Sequence, residues 1–221
     1  MILPQSHTLT IRHLNRVFDN TVATYKYYWF LGILDACVKQ GKSRINVWDI
    51  MISMVANAWY PVNYFRLSFG KSESLYDTII TLQREYNIPI NISINELTEL
   101  LQVLIQRREV RRLLNFLQMN VPFRFLRPWI DTSDDKQTVL RSQTFENGCL
   151  YKLEKIDRIW WVEINPAWLP YLRENYDILT SFAYWGLTNF LQVRNPNVPN
   201  IPNKLIKKEE RSSLLEQRKF W

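Results

Sequence analysis

The residues best placed to do chemistry in this chain are arginines and lysines, and the chemistry they suit is the holding of phosphate. Arg107-Arg108-Glu109-Val110-Arg111-Arg112 packs four guanidinium groups into six positions. In helical projection Arg108, Arg111 and Arg112 lie away from the apolar side of Val110, Leu113 and Leu117, and such a row can bridge successive phosphates bidentately. A solvated helix face paired with nearby acids has the same pattern. Arg124 and Arg127 alternate with Phe123, Phe125 and Trp129. That alternation either stacks bases and holds backbone or plugs a groove while the arginines reach outward. A third basic set, Lys204, Lys207, Lys208 and Arg211, with Arg218 and Lys219 further on, faces only Glu209, Glu210 and Glu216. It fits contact with a nucleic-acid backbone or the tethering of another unit.

No complete catalytic constellation accompanies these cations. The histidines are His7 and His13, with no serine or cysteine motif beside either. Two histidines without a carboxylate cluster do not build a metal centre. No nuclease-type cluster of two acids and a lysine is present; Glu163-Ile164-Asn165 is the nearest approach and lacks the lysine. The five glycines, at positions 32, 41, 70, 148 and 186, stand too far apart to cradle a phosphate, which argues against P-loop and Rossmann sites. Cys37 and Cys149 have no CxxC partner, and their scarcity fits a reducing cytoplasm. The net charge of +7 and pI near 9.4 favour a polyanionic partner. The N-terminus lacks a signal peptide's pattern, and the apolar run from Tyr27 to Val38 is broken by Asp35. That run is too short for a bilayer, which takes about 20 residues. A membrane is therefore not expected as a partner.

The elements that must carry these groups read as mainly helical. The expected fold is an aromatic-rich helical bundle with a small β-hairpin and an extended Pro-rich arm. An apolar helix is predicted over 19–40, stopping at Gly41, and a second from Asn46 to Trp59, ended by Pro61. A third spans Glu73–Tyr86 and a fourth starts at Ser93. The apolar stripe switches sides between Gln106 and Glu109, so two helices meet there. Val121–Trp129, with prolines at 122 and 128, reads as an extended connector, and Asp131–Lys136 as a polar loop. Cys149–Leu153 and Ile159–Ile164 read as a hairpin, followed by one long helix from Pro166. Pro196, Pro199 and Pro202 predict a semi-rigid extended arm. The expected organisation is a helical core over 1–130, hairpin, long helix and arm over 131–203, and a basic helix over 204–221.

Several phrases occur together: Phe18-Asp19-Asn20-Thr21 with Ala23 through Leu31; Met54-Val55-Ala56-Asn57-Ala58-Trp59-Tyr60-Pro61-Val62-Asn63-Tyr64; Leu67-Ser68-Phe69-Gly70-Lys71; and Arg194-Asn195-Pro196-Asn197-Val198-Pro199 with Ile201 through Leu205. Together they resemble the N-terminal region of a bacterial family of HNH endonuclease domain proteins. The family's HNH segment follows the region matching Arg211–Trp221, so its metal-binding and base residues have no positions here. The helical tail ends on Phe220-Trp221 without a stop signal, which predicts continuation into further sequence. The resemblance implies a recognition and delivery module in bacterial defence, with DNA favoured over RNA as partner. It implies no cofactor in this chain and a divalent metal in the HNH segment. The alternative is an interaction scaffold in which Trp-rich surfaces dock other protein subunits.

Overall fold

Two apolar helices laid against each other make the centre of the molecule. The computed structural model describes residues 2–19, 21–70 and 73–207. After a short α1 (Ile11–Asn15), α2 (Tyr25–Leu34) buries every residue from Tyr27 to Leu34. It runs on into a π-helical turn, Asp35–Lys39, which stops before Gly41 at φ +68°. The helix expected to begin near residue 19 therefore begins at Tyr25. Its partner α3 (Val47–Asn63) is capped by the Asn46 side chain, which accepts from the Trp48 amide at 2.9 Å. Close approach of the two depends on Gly32, where a Cβ would sit 2.9 Å from Ile50 Cγ2. Pro61 does not end α3: the helix continues to Asn63, because a proline in the last turn forfeits only its own bond to the carbonyl four residues back.

α4 (Ser74–Glu85), α5 (Ile94–Leu104) and α6 (Arg108–Gln118) pack around α3. A capping box of Ser93 and Glu96 starts α5. The switch of apolar face after Gln106 is the α5–α6 junction, as the sequence indicates. The first part of the expected extended connector is instead helical: α7 (Val121–Phe125) carries Pro122 in its first turn, where a missing N–H costs nothing. The expected polar loop holds over 131–134 and then passes into α8 (Asp135–Ser142), whose first turn the Asp134 carboxylate caps through the Lys136 amide at 2.8 Å.

The hairpin forms, from β2 (Tyr151–Ile156) and β3 (Ile159–Ile164). Asp157 and Arg158 turn it with φ of +49° and +67°, the conformation that matches strand twist in a two-residue loop. A third strand, β1 (Arg44–Asn46), pairs antiparallel with β3, in the order β1-β3-β2. The single long helix expected after Pro166 is two: α9 (Trp168–Glu174) and α10 (Tyr176–Arg194). They break at Asn175, whose side-chain amide donates to the Tyr171 carbonyl at 2.9 Å in competition with the backbone. The proline segment is not a free-standing spacer. Asn195 exchanges two bonds with the Ser68 backbone, at 2.8 and 2.9 Å, Ile201 is fully buried, and α11 (Pro202–Leu205) follows. Residues 208–221, where the basic helix is expected, lie outside the described residues.

One apolar core runs through both 1–130 and 131–203, from Leu3 to Leu205. A buried polar chain stitches it: Trp29 Nε1 donates to the Tyr151 hydroxyl at 3.1 Å, and that hydroxyl donates to the Pro122 carbonyl at 2.6 Å. Tyr151→Phe leaves an indole donor and a carbonyl without partners in a dry interior. The expected loss is about 1–3 kcal/mol, read as a lowered urea midpoint with unchanged slope; a neutral result would show that the chain contributes nothing.

Candidate functional site

The structure sorts the ten predicted cationic residues by what surrounds them. Arg107 lies over the Tyr86 ring at 5.5 Å. Arg111 folds back, its Nε donating to the Ile105 carbonyl at 2.8 Å and Nη2 to Gln106 Oε1 at 3.1 Å. Lys204 donates to the Pro199 carbonyl and lies 5.4 Å from the Phe65 ring centroid. Lys207 donates to the Asn91 carbonyl at 2.8 Å. Arg108 and Arg112 are exposed on the outer face of α6, opposite buried Val110, Leu114 and Leu117. Lys208 and Arg211 lie outside the described residues.

Arg124 and Arg127 are both exposed, while Phe123, Phe125 and Trp129 fill the core. The aromatics plug and the arginines reach outward. The fold brings them to Lys26 in the first turn of α2, a residue that sequence reasoning passed over. Lys26 Nζ donates to the Val17 carbonyl at 3.0 Å. Burial pushes its ammonium pKa down and the positive charge of Arg127 pushes it further; Asp19 pulls it back up, and Arg124 adds a smaller downward push. Asp19 is itself 3.5 Å from Arg16. Among the described residues no carboxylate lies in ion-pair contact with Lys26, Arg124 or Arg127. The one available signal was a lysine inside the aromatic run Tyr25-Lys26-Tyr27-Tyr28.

A second polar assembly sits at the opposite end of α2. Asp35 Oδ1 takes Lys39 Nζ at 2.8 Å and the Tyr176 hydroxyl at 2.9 Å. Burial disfavours the Lys39 ammonium, but its bonds to Asp35 and Tyr176 outweigh that and raise its pKa. Two adjoining cavities of about 460 and 540 Å3 open here, sharing Asp35, Lys39, Asn57, Ile94 and Asn95 in their walls. The sequence signal was Asp35 interrupting an apolar run.

His13 packs 6.0 Å from the Trp129 ring, and His7 is exposed. Cys37 and Cys149 are free thiols, both buried, and burial raises each pKa to about 12. Among the described residues no three His, Cys, Asp or Glu side chains converge to hold a metal ion. The residues present therefore do not fit the divalent metal that HNH chemistry implies. Among them, too, no helix is long and apolar enough to cross a membrane. No protein family, curated protein or solved structure matches the chain.

Glu73 is the buried acid of the molecule's α2–α4 corner, 4% exposed. Its carboxylate accepts from the Thr24 amide at 3.0 Å and the Thr24 hydroxyl at 3.2 Å, latching the start of α2 to the start of α4. Burial pushes its pKa up to about 7, opposed by the Thr24 bonds and by Arg194. Between its ordinary value of 4.5 and about 7, the folded state holds a proton that the unfolded chain releases. Stability from this group is therefore full below pH 4.5 and falls as pH rises towards 7, by on the order of 1–3 kcal/mol. Glu73→Gln is expected to flatten the decline in Tm between pH 5 and 8; an unchanged slope would show that Glu73 ionises normally.

Proposed function

We propose that this chain is a nucleic-acid-binding module, with DNA preferred to RNA, that holds backbone phosphates on the side formed by the N-terminal end of α2, α6 and α7. The observation that carries this is the gathering of Lys26, Arg124 and Arg127 without a carboxylate in contact. Arg127 and Arg124 both disfavour the Lys26 ammonium; a polyanion relieves that repulsion and releases its own counterions. Arg108 and Arg112, exposed on α6, are further cations free to meet phosphate in this reading. Following the resemblance to HNH endonuclease domain proteins, the module presents DNA to a nuclease unit in bacterial defence, and the metal and base belong to that unit. Two buried free thiols support a reducing cytoplasm as its setting.

An interaction scaffold is favoured by one observation of its own. Ile178, Trp185 and Val193 are 41%, 53% and 78% exposed along α10, a helix otherwise packed on α2.

The deciding measurement is fluorescence anisotropy with a labelled DNA duplex across a salt series. Arg124→Ala with Arg127→Ala is expected to weaken binding at least tenfold at low salt and to lower the salt slope by about 2, one per lost phosphate contact. Equal affinity and slope in the double variant would remove this surface from the proposal. If the scaffold reading holds instead, the unmodified chain shows no salt-dependent DNA binding, and Trp185→Asp abolishes an association seen by sedimentation.

A further inference from the structure

The cleft at the C-terminal end of α2 is built differently from the basic surface, and its chemistry is that of a small-molecule site. A π-helical turn is uncommon and recurs at functional sites; here it carries both Asp35 and Lys39. Asp35 is oriented by two bonds to one oxygen, Oδ1, from Lys39 and the Tyr176 hydroxyl. Its other oxygen, Oδ2, accepts nothing among the described residues. Asn57 shows the same economy. Its Nδ2 donates to the Ser53 carbonyl at 2.9 Å and to Ser53 Oγ at 3.2 Å, which fixes the amide and leaves Oδ1 to accept. Lys39 keeps N–H donors beyond the one aimed at Asp35. Two acceptors and a multiple donor thus line the waist shared by the two cavities.

The two lobes differ. One is walled by Ser53, Asp49, Thr98 and Gln102, the other by Leu31, Tyr176, Tyr184 and Leu205. The second also contains Thr180, one helical turn beyond Tyr176, whose buried Oγ1 has no partner. The charges in the walls are mixed, with Asp35, Asp49 and Glu99 against Lys39 and Lys42, so the cleft does not favour a strong anion. A hydroxyl both donates and accepts, and a pair of adjacent hydroxyls satisfies an acceptor–donor–acceptor row without bringing charge into it.

We propose that this cleft binds a ligand bearing a ring vicinal diol joined to a flat apolar body, the diol held by Asp35, Lys39 and Asn57 and the flat body lying against Tyr176 and Tyr184. Ribonucleosides and aryl glycosides both present this chemistry. The volumes, about 460 and 540 Å3, match the usual range for small-molecule sites, and an amphipathic wall with few convergent polar groups is their usual make-up.

Calorimetric titration of the intact protein with adenosine, 2′-deoxyadenosine and 4-nitrophenyl β-glucoside tests the assignment. Saturable one-to-one binding of adenosine, at least tenfold tighter than of the deoxy form, supports a ribonucleoside; saturable binding of the glucoside instead supports a glycoside. Asp35→Asn is expected to weaken the bound probe about tenfold, the loss of a charge-assisted hydrogen bond. Amide shifts in the unmodified protein, measured by NMR with the binding probe, are expected at Lys39, Asn57 and Thr180, which keeps the test independent of how the variant folds. Absence of saturable binding by all three probes, equal affinity for the two adenosines when the glucoside also fails to bind, or shifts mapping elsewhere would overturn it.

Discussion

The Tyr151 hydroxyl, fully buried between an indole donor and a proline carbonyl, is the contact on which the rest of the arrangement depends. An unpaired hydroxyl in such a place is costly, so it accepts only a geometry that supplies both partners. Those partners come from α2 and from the first turn of α7, which fixes the hairpin against both at once. The aromatic packing then follows: Phe125 stacks 5.6 Å from Phe30 and 6.1 Å from Tyr151. With Phe123 and Phe125 turned inward, Arg124 and Arg127 have nowhere to go but out. Their proximity to Lys26 is thus a consequence of core packing, since Lys26 leaves the same helix that supplies Trp29.

α2 concentrates its chemistry at its two ends for the same reason. Its middle is buried on all sides, and a charge there would lack water or a partner. At the N-terminal end Glu73 and Lys26 are partly compensated, the first by Thr24 and the second by the Val17 carbonyl. At the C-terminal end the π-helical turn sets Asp35 facing Lys39 and Tyr176. The two ends differ in character. One is an open surface of like charge, suited to a long polyanion. The other is a walled cleft of mixed charge, suited to something small.

The sequence was most legible where periodicity is sustained. The stripes of α3 to α6 and the Trp160-Trp161-Val162 strand announce themselves because burial imposes a repeat. The proline-bounded segment was misjudged because a proline disfavours helix in the residue before it, yet Val121 opens α7 and Pro122 sits in its first turn, where the missing N–H has no intrahelical partner to lose. β1 is three residues long, too short to show alternation. The break at Asn175 rests on one side-chain bond. Arg124 and Arg127 were legible as single residues, but neither cluster was legible as a cluster, since Tyr176 lies 141 positions from Asp35 and about 100 positions separate Lys26 from Arg127; only tertiary packing joins them.

Charge counting treated every arginine and lysine alike, and the fold does not. A cation beside an unsatisfied carbonyl is used locally, as Lys26 is by Val17, Arg111 by Ile105, Lys204 by Pro199 and Lys207 by Asn91. Such carbonyls occur where helices end and chains turn, and α5, the proline segment and the loop before α5 supply them. Arg108 and Arg112 stand one turn apart on the outside of α6, where every nearby carbonyl is already bonded within the helix, and Arg124 lies on, and Arg127 just beyond, a short helix whose other residues are buried and apolar. The difference between a structural cation and one available to a partner is therefore set by backbone geometry.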